Sequence, residues 1–218
     1  MKRIWIVLAI ACLAQTATAR EGFSVSLGLG GGIWSLSDSD LAAQLAKLDP
    51  PRGDQGLLTG TLADGLGFRF AMAYNIRGYA SVEIGITGHG WNLSDSDALG
   101  GSGHVALTAH FHPFELFMPE RDFDVSVFLG GGYSIVGGGQ AGDNLSRALD
   151  GGALECGLAG RWFFTNWFSL GAELRLSVPF FARWTVDWED GEHYGLDASP
   201  QAVFLGILVT TGFHFQAG

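Results

Sequence analysis

The most constraining feature of the sequence is an alternation of side chains with a period of two residues. In residues 22–34 the odd positions include Phe23, Val25, Leu27, Leu29 and Ile33, whereas the even positions from 22 to 32 hold only Ser and Gly. A period of two is that of a β-strand, because successive side chains point to opposite faces. The segment therefore predicts a strand with one face that is apolar along its whole length.

The same alternation recurs along most of the chain. It defines eight segments, at residues 22–34, 66–76, 79–91, 103–114, 124–136, 153–164, 167–180 and 202–215. Each reaches the roughly 9–11 residues that a tilted strand needs to cross a bilayer. We therefore predict an all-β fold, an eight-stranded antiparallel up-and-down transmembrane β-barrel.

A soluble barrel of lipocalin type is the structural alternative. Its polar face would lie in water and would carry many Lys and Glu side chains. Here the polar face is mostly Gly, Ser, Ala and Thr, and charged residues make up 16% of the chain, against a usual quarter. This composition favours a polar face turned toward a narrow barrel interior.

The start of the chain is typical of a secretory signal peptide. Lys2 and Arg3 precede an apolar run over residues 4–13, and the small residues Ala17 and Ala19 follow it. The predicted domains are a signal peptide at residues 1–19 and an outer-membrane β-barrel domain at residues 20–218. We therefore expect the mature protein to be exported to the cell outer membrane.

Connections between the predicted strands alternate in length. Short turns fall at 75–78 and 165–166, a middling one at 115–122, and long ones at 35–65, 92–102, 137–151 and 183–199. In outer-membrane barrels the short turns face the periplasm and the long loops face outward. We expect an aromatic girdle at each end. The periplasmic girdle comprises residues 162–164 and 167–168, and the outer one Trp34, Trp91, Phe181, Trp184 and Trp188.

Ionisable residues on the non-apolar faces form the main candidate site. The predicted lumenal charge network consists of Arg69, Glu83, His110, Glu155, Arg161, Glu173 and Arg175. We expect the first three to form a row across neighbouring strands, and the other four to pair across the turn at 165–166. An eight-stranded barrel is just wide enough for side chains to fill, and charges inside it must be paired. The predicted role is a structural plug, and the alternative is a proton or solute path.

Several histidines raise the question of a metal site. They are His104, His110 and His112, with His89 and His214. Alternate residues of a strand share a face, and imidazole binds transition metals. Hydrogen bonds from lumenal histidines to carboxylates explain the pattern more simply, so we predict no metal and no cofactor.

A lipid A-modifying enzyme is a further possibility to weigh. His89 with Asp95 and either Ser94 or Ser102 is the nearest approach to a Ser–His–acid arrangement. No motif supports this set. Scattered Ser, His and Asp residues are expected by chance in acidic loops. We therefore predict that the protein is not an enzyme.

The charge of the chain restricts its partners. The formal net charge is −10 and no basic patch is present, which argues against nucleic acid. Acidic residues concentrate in the predicted outer loops, where oxygen ligands can bind divalent cations that bridge lipopolysaccharide. The expected partners are outer-membrane lipid, lipopolysaccharide and, at the acidic loops, divalent cations.

The mature chain resembles the small outer-membrane barrels that include the OmpA membrane domain, OmpX and OmpW. The resemblance rests on strand count, loop asymmetry, the girdles and the aromatic end Phe213-His214-Phe215. It implies folding by the barrel-insertion machinery, which reads a terminal aromatic residue, although Gln216, Ala217 and Gly218 follow here. The leading function is a structural or surface-interaction role with a lumen plugged by paired charges. The alternatives are a narrow channel for small or hydrophobic solutes and, third, the lipid A-modifying enzyme.

Overall fold

The computed structural model covers the strands and most residues of the short turns. It describes residues 21–36, 63–76, 78–92, 98–118, 121–140, 146–186, 192–196 and 202–216. The strands are β1 (Gly22–Leu36), β2 (Ala63–Ile76), β3 (Ala80–Asn92), β4 (Ala98–Phe111), β5 (Phe123–Gln140), β6 (Ser146–Thr165), β7 (Phe168–Val186), β8 (Glu192–Gly195) and β9 (Ala202–Gln216). A five-residue helix, α1 (Pro113–Phe117), connects β4 to β5. None of the helical residues described forms a segment long and apolar enough to cross a membrane. The predicted signal peptide, residues 1–19, lies outside the described residues.

The strands form one closed sheet. Its order is β6-β5-β4-β3-β2-β1-β9-β7, all pairings are antiparallel, and β6 pairs with β7 to close the ring. The short strand β8 extends the end of β7 as a hairpin. The predicted fold, an eight-stranded antiparallel up-and-down transmembrane β-barrel, is therefore confirmed.

The outer wall of the barrel is apolar. On β4, Val105 and Leu107 are 45% and 58% exposed, whereas Thr108 and His110 are buried. The other long strands alternate in the same way, with outward residues that include Leu29, Phe68, Ile84, Leu129, Leu158, Leu174 and Val209. A continuous apolar surface of this extent requires lipid around it. The polar faces line the interior, so the soluble lipocalin-like alternative is wrong.

The two ends of the barrel differ in their connections. Tight turns join β2 to β3 and β6 to β7, and α1 joins β4 to β5, at what we call the short-turn end. The opposite end, the long-loop end, carries the other connections. Trp162, Phe164 and Trp167 are exposed at the short-turn end, as predicted for a girdle. Phe163 is buried instead, because it lies on the inward face of β6.

The girdle predicted at the long-loop end is wrong for Phe181 and Trp184. Both side chains are buried, and Phe181 is completely inaccessible. The register of β7 against β6 shifts by one residue at Ala182. Such a bulge reverses the alternation of the strand. Phe181, before the bulge, and Trp184, after it, therefore both point inward although one number is odd and the other even. Three further members of the predicted girdle, Trp34, Trp91 and Trp188, have side chains outside the described part of the chain.

A polar cluster on the outer wall marks the edge of the apolar band at the long-loop end. Arg183 on β7 donates to both carboxylate oxygens of Asp150 on β6, at 2.8 to 3.0 Å, and Tyr133 on β5 donates to the same carboxylate. The rise from Asp150 to Trp162 is about 30 Å, at about 3.3 Å per residue and a tilt of about 40°. This height matches an apolar band roughly 25 Å tall with its flanking interfaces.

Strands β5, β6 and β7 run further than the sequence predicted. β5 ends at Gln140, β6 begins at Ser146 and β7 ends at Val186. The loops predicted at 137–151 and 183–199 are correspondingly shorter. The glycine runs and charged residues in these segments hide the period of two, although neighbouring strands still pair through them.

We predict that Gly132→Ala destabilises the barrel by about 1–3 kcal/mol, the usual cost of overpacking. A Cβ on Gly132 would lie 2.6 Å from the Cα of Ala106 on the adjacent strand, and it would also overlap the carbonyl oxygen of Val105. Gly152→Ala is the matched control, because its Cβ would meet nothing closer than 4.0 Å. Urea unfolding in lipid vesicles measures both, and equal midpoints would contradict the packing argument.

We also predict that Leu129→Arg lowers the free energy of unfolding by about 2–4 kcal/mol, since an arginine near the bilayer midplane loses its hydration. Leu129 is 66% exposed on the outer wall of β5. Leu129→Ala, which leaves an apolar surface, should cost much less. The same unfolding assay separates the two variants, and a tolerated arginine would place Leu129 outside the lipid.

Candidate functional site in the barrel lumen

The seven residues of the predicted charge network all lie inside the barrel. Each is at most 8% exposed: Arg69, Glu83, His110, Glu155, Arg161, Glu173 and Arg175. They come from β2, β3, β4, β6 and β7, and each occupies an inward position of its strand. The structure therefore gathers into one cluster residues that are more than one hundred positions apart in the chain.

Two glutamates on opposite walls hold this network together. Glu83 on β3 contacts Arg69, and it also lies 3.8 to 3.9 Å from Arg161 and Arg175. Glu173 on β7 lies 3.4 to 3.9 Å from the same three arginines. In the ring of eight strands, β3 and β7 face each other across the lumen. The shared arginines therefore bridge the full width of the interior.

The remaining pairs follow the register. Arg175 donates to Glu155 at 2.5 Å, and His110 lies 3.2 Å from Glu83. Three guanidinium groups thus face three carboxylates, and such a buried set is stable only when its members are paired and hydrogen-bonded. Removing one partner of such a set costs about 3–5 kcal/mol, because a buried charge is left without compensation.

Arg69 and Glu83 are in contact although they are not opposite each other in the β2–β3 hairpin. In the β2–β3 register, Glu83 stands opposite Ala73, four residues from Arg69. The Arg69 side chain extends along the barrel past Gly85 to reach Glu83. A Cβ added to Gly85 would lie 3.0 Å from a guanidinium nitrogen of Arg69. Small residues below the arginine therefore make this pairing possible.

Phe128 provides an apolar surface for the network. It interrupts the alternation in the sequence of β5, and the structure places it inside the lumen, 4% exposed. The guanidinium of Arg175 lies 4.5 Å from the centre of its ring, and the ring of His110 stacks on it at 4.8 Å. The cation–π contact holds Arg175 in place, and the stacking contact holds His110.

The lumen toward the long-loop end has a different character. Its buried side chains include Val136, Leu149, Phe181, Trp184, Phe204 and Leu208. The rings of His89 and His104 lie 4.2 and 5.7 Å from Phe204. Neither imidazole has a hydrogen-bond partner among the described residues, so that part of the chain does not contain the expected pairing of these two histidines with carboxylates.

The lumen toward the short-turn end contains hydrogen-bonded histidines. His112 lies between Ser81 and Asp124, at 3.0 and 2.6 Å, and His214 lies 2.9 Å from Ser169. Asp124 did not stand out in the sequence, because it is one acidic residue at the start of a strand. Ser81, His112 and Asp124 all occupy inward-facing positions at the ends of three adjacent strands. This shared position is the sequence signal that could have identified them as a group.

The other predicted sites lie only partly within the described residues. His89 and Ser102 both face the lumen, while Ser94 and Asp95 lie outside the described residues. Within the described part of the chain, no three His, Cys, Asp or Glu side chains are arranged to hold a metal ion. Most of the acidic loop residues also lie outside that part. Asp150 lies within the predicted loop 137–151, but it belongs to β6 and binds Arg183.

Comparison with known proteins identifies the architecture. No family model matches the chain, and no curated protein matches it in sequence. Neisserial surface protein A has a TM-score of 0.55 at 14% identity, covering 89% of this chain and 98% of its own. OprG from Pseudomonas aeruginosa scores 0.54 at 11% identity, covering 93% and 100%. Ail, the attachment invasion locus protein of Yersinia pestis, scores 0.50 at 14% identity, covering 89% and 99%. At these identities the likeness shows the fold, which is that of the small outer-membrane β-barrels.

Proposed function

We propose that the protein is a barrel of the bacterial outer membrane with a structural or surface-interaction role and a sealed lumen. The observation that carries the proposal is the charge network that joins β3 to β7 across the whole interior. An eight-stranded barrel leaves a lumen that side chains can fill. The network occupies its middle, and the apolar side chains around Phe204 fill the level above it, toward the long-loop end.

In this proposal the short-turn end faces the periplasm and the long-loop end faces outward. Both chain ends are then periplasmic, and residues 1–19 act as the signal peptide that directs export. The outward-facing Phe213 and Phe215 at the end of β9 are accessible to barrel-insertion machinery. The girdle around Trp162 lies at the periplasmic interface, where aromatic side chains are favoured.

The acidic connections give the outer surface its proposed partners. Their carboxylates can bind divalent cations that bridge phosphate groups of lipopolysaccharide, because hard cations prefer oxygen ligands. Below them, the Tyr133–Asp150–Arg183 cluster lies at the level where lipid headgroups begin. The names of two structural neighbours, a surface protein and an attachment protein, agree with a surface role.

A sealed lumen predicts an absence of steady ion current in planar bilayers. The charge-neutral variant Glu155→Ala with Arg175→Ala removes one buried pair and leaves the other charges balanced, so it should open a conductive gap. The control variant, Asp150→Ala with Arg183→Ala, removes an ion pair of the outer wall, and we expect it to carry no current. Steady currents from the unaltered protein would instead favour the narrow channel for small or hydrophobic solutes.

A structural role for the network also predicts unequal costs of removing acids. Glu83→Ala should lower the free energy of unfolding by about 3–5 kcal/mol, because Arg69 loses its nearest carboxylate and three buried guanidinium groups then share two carboxylates. Asp150→Ala should cost far less, since its partner Arg183 is half exposed and gains water. Equilibrium unfolding of both variants in the same vesicles provides the measurement. Equal losses would mean that the lumenal charges are not specifically stabilising.

A further inference from the structure

Three side chains meet at the short-turn end of the lumen in a specific order. The Oγ atom of Ser81 lies 3.0 Å from Nε2 of His112, and Nδ1 of His112 lies 2.6 Å from Oδ2 of Asp124. Ser81 and Asp124 are the second residues of β3 and β5, and His112 directly follows β4, so three adjacent strand ends supply them. All three are buried, at 3 to 4% exposure, which fixes their mutual geometry.

The two ring nitrogens of His112 have different roles. An ionised carboxylate only accepts hydrogen bonds, so the contact with Asp124 requires the proton to reside on Nδ1. Nε2 is then left as an acceptor aimed at the hydroxyl of Ser81. A base held by a carboxylate and directed at a serine hydroxyl is the arrangement that activates serine as a nucleophile, whatever the fold.

We propose that Ser81, His112 and Asp124 form a hydrolytic site for small carboxylic esters that enter the lumen from the short-turn end. This activity goes beyond the sealed structural barrel and does not depend on it. The charge network lies on the other side of Ser81, beginning with Glu83 two residues further along β3. Substrate access is therefore restricted to the short-turn mouth.

The surroundings also provide stabilisation for an oxyanion. Asn75 stands directly opposite Ser81 in the β2–β3 register and is likewise buried. Its amide nitrogen makes only long contacts, 3.4 Å to the carbonyl of Gly22 and 3.5 Å to Ser24. These partners lie on β1, so the amide must rotate toward β3 to donate to a carbonyl oxygen that becomes negative beside Ser81.

The reaction balances with water as the second reactant. The Oγ atom of Ser81 attacks the ester carbonyl carbon while its proton passes to Nε2 of His112. Collapse of the tetrahedral intermediate breaks the bond to the alkoxy group, which leaves as an alcohol with that proton. Water then attacks the acyl-serine, gives a proton to Nε2, and releases the carboxylic acid with Ser81 restored. Asp124 keeps the imidazole in the required tautomer and stabilises its charged form.

The test uses the mature chain folded in detergent, with diisopropyl fluorophosphate as the probe and p-nitrophenyl acetate as the substrate. We expect a single phosphorylated residue, Ser81, located by peptide mass spectrometry, and ester hydrolysis that the modification abolishes. Ser81→Ala should remove both signals. Asp124→Asn, which favours the wrong tautomer of His112, should slow hydrolysis by about 10²–10⁴-fold.

Ser169→Ala is the matched control, because Ser169 bonds His214 at the same end of the lumen but lies outside the proposed set. It should retain labelling and hydrolysis. Heat-modifiable gel mobility establishes that each variant is folded, and Ser81→Ala alone decides the question if Asp124→Asn does not fold. A folded wild-type protein that is not labelled overturns the proposal, as does labelling that persists in Ser81→Ala.

Discussion

The structure depends on one constraint: backbone N–H and C=O groups in hydrocarbon must be paired within the protein. A sheet meets this requirement only by closing on itself, because an open edge would leave a row of unpaired groups in lipid. Here the pairings of β6 with β7 and of β1 with β9 complete the ring. Closure at eight strands makes the interior narrow, and a narrow interior forces inward charges into contact with one another.

The alternation of side chains predicted the fold well, because lipid on one side and a small lumen on the other impose the same period on every strand. It failed where the backbone departs from regular pairing. The bulge at Ala182 reverses the parity of β7, and it turns Trp184 inward. Strand ends were also underestimated, since backbone hydrogen bonds extend β5 and β6 through glycine-rich sequence in which no apolar pattern remains.

Which charged residues of the network face the lumen could be predicted from parity alone, whereas their partners could not. Glu83 reaches His110 as the register suggests, but its contact with Arg69 spans four residues along the barrel axis. Such contacts depend on strand tilt and on small neighbours such as Gly85. The grouping of His112 with Asp124 depends on the same stagger, because three strand ends must stop at one level.

The Tyr133–Asp150–Arg183 cluster has a consequence for how the molecule rests in a membrane. It fixes the upper limit of the apolar surface on the β5–β7 side of the wall, where a charged pair cannot sink into hydrocarbon without losing hydration. A bilayer thicker than the distance from this cluster to Trp162 must thin locally beside these strands, and a thinner one makes the barrel tilt. Within the described part of the chain, hydrophobic mismatch therefore acts on the β5–β7 side of the wall, and it gives the barrel a preferred direction of tilt.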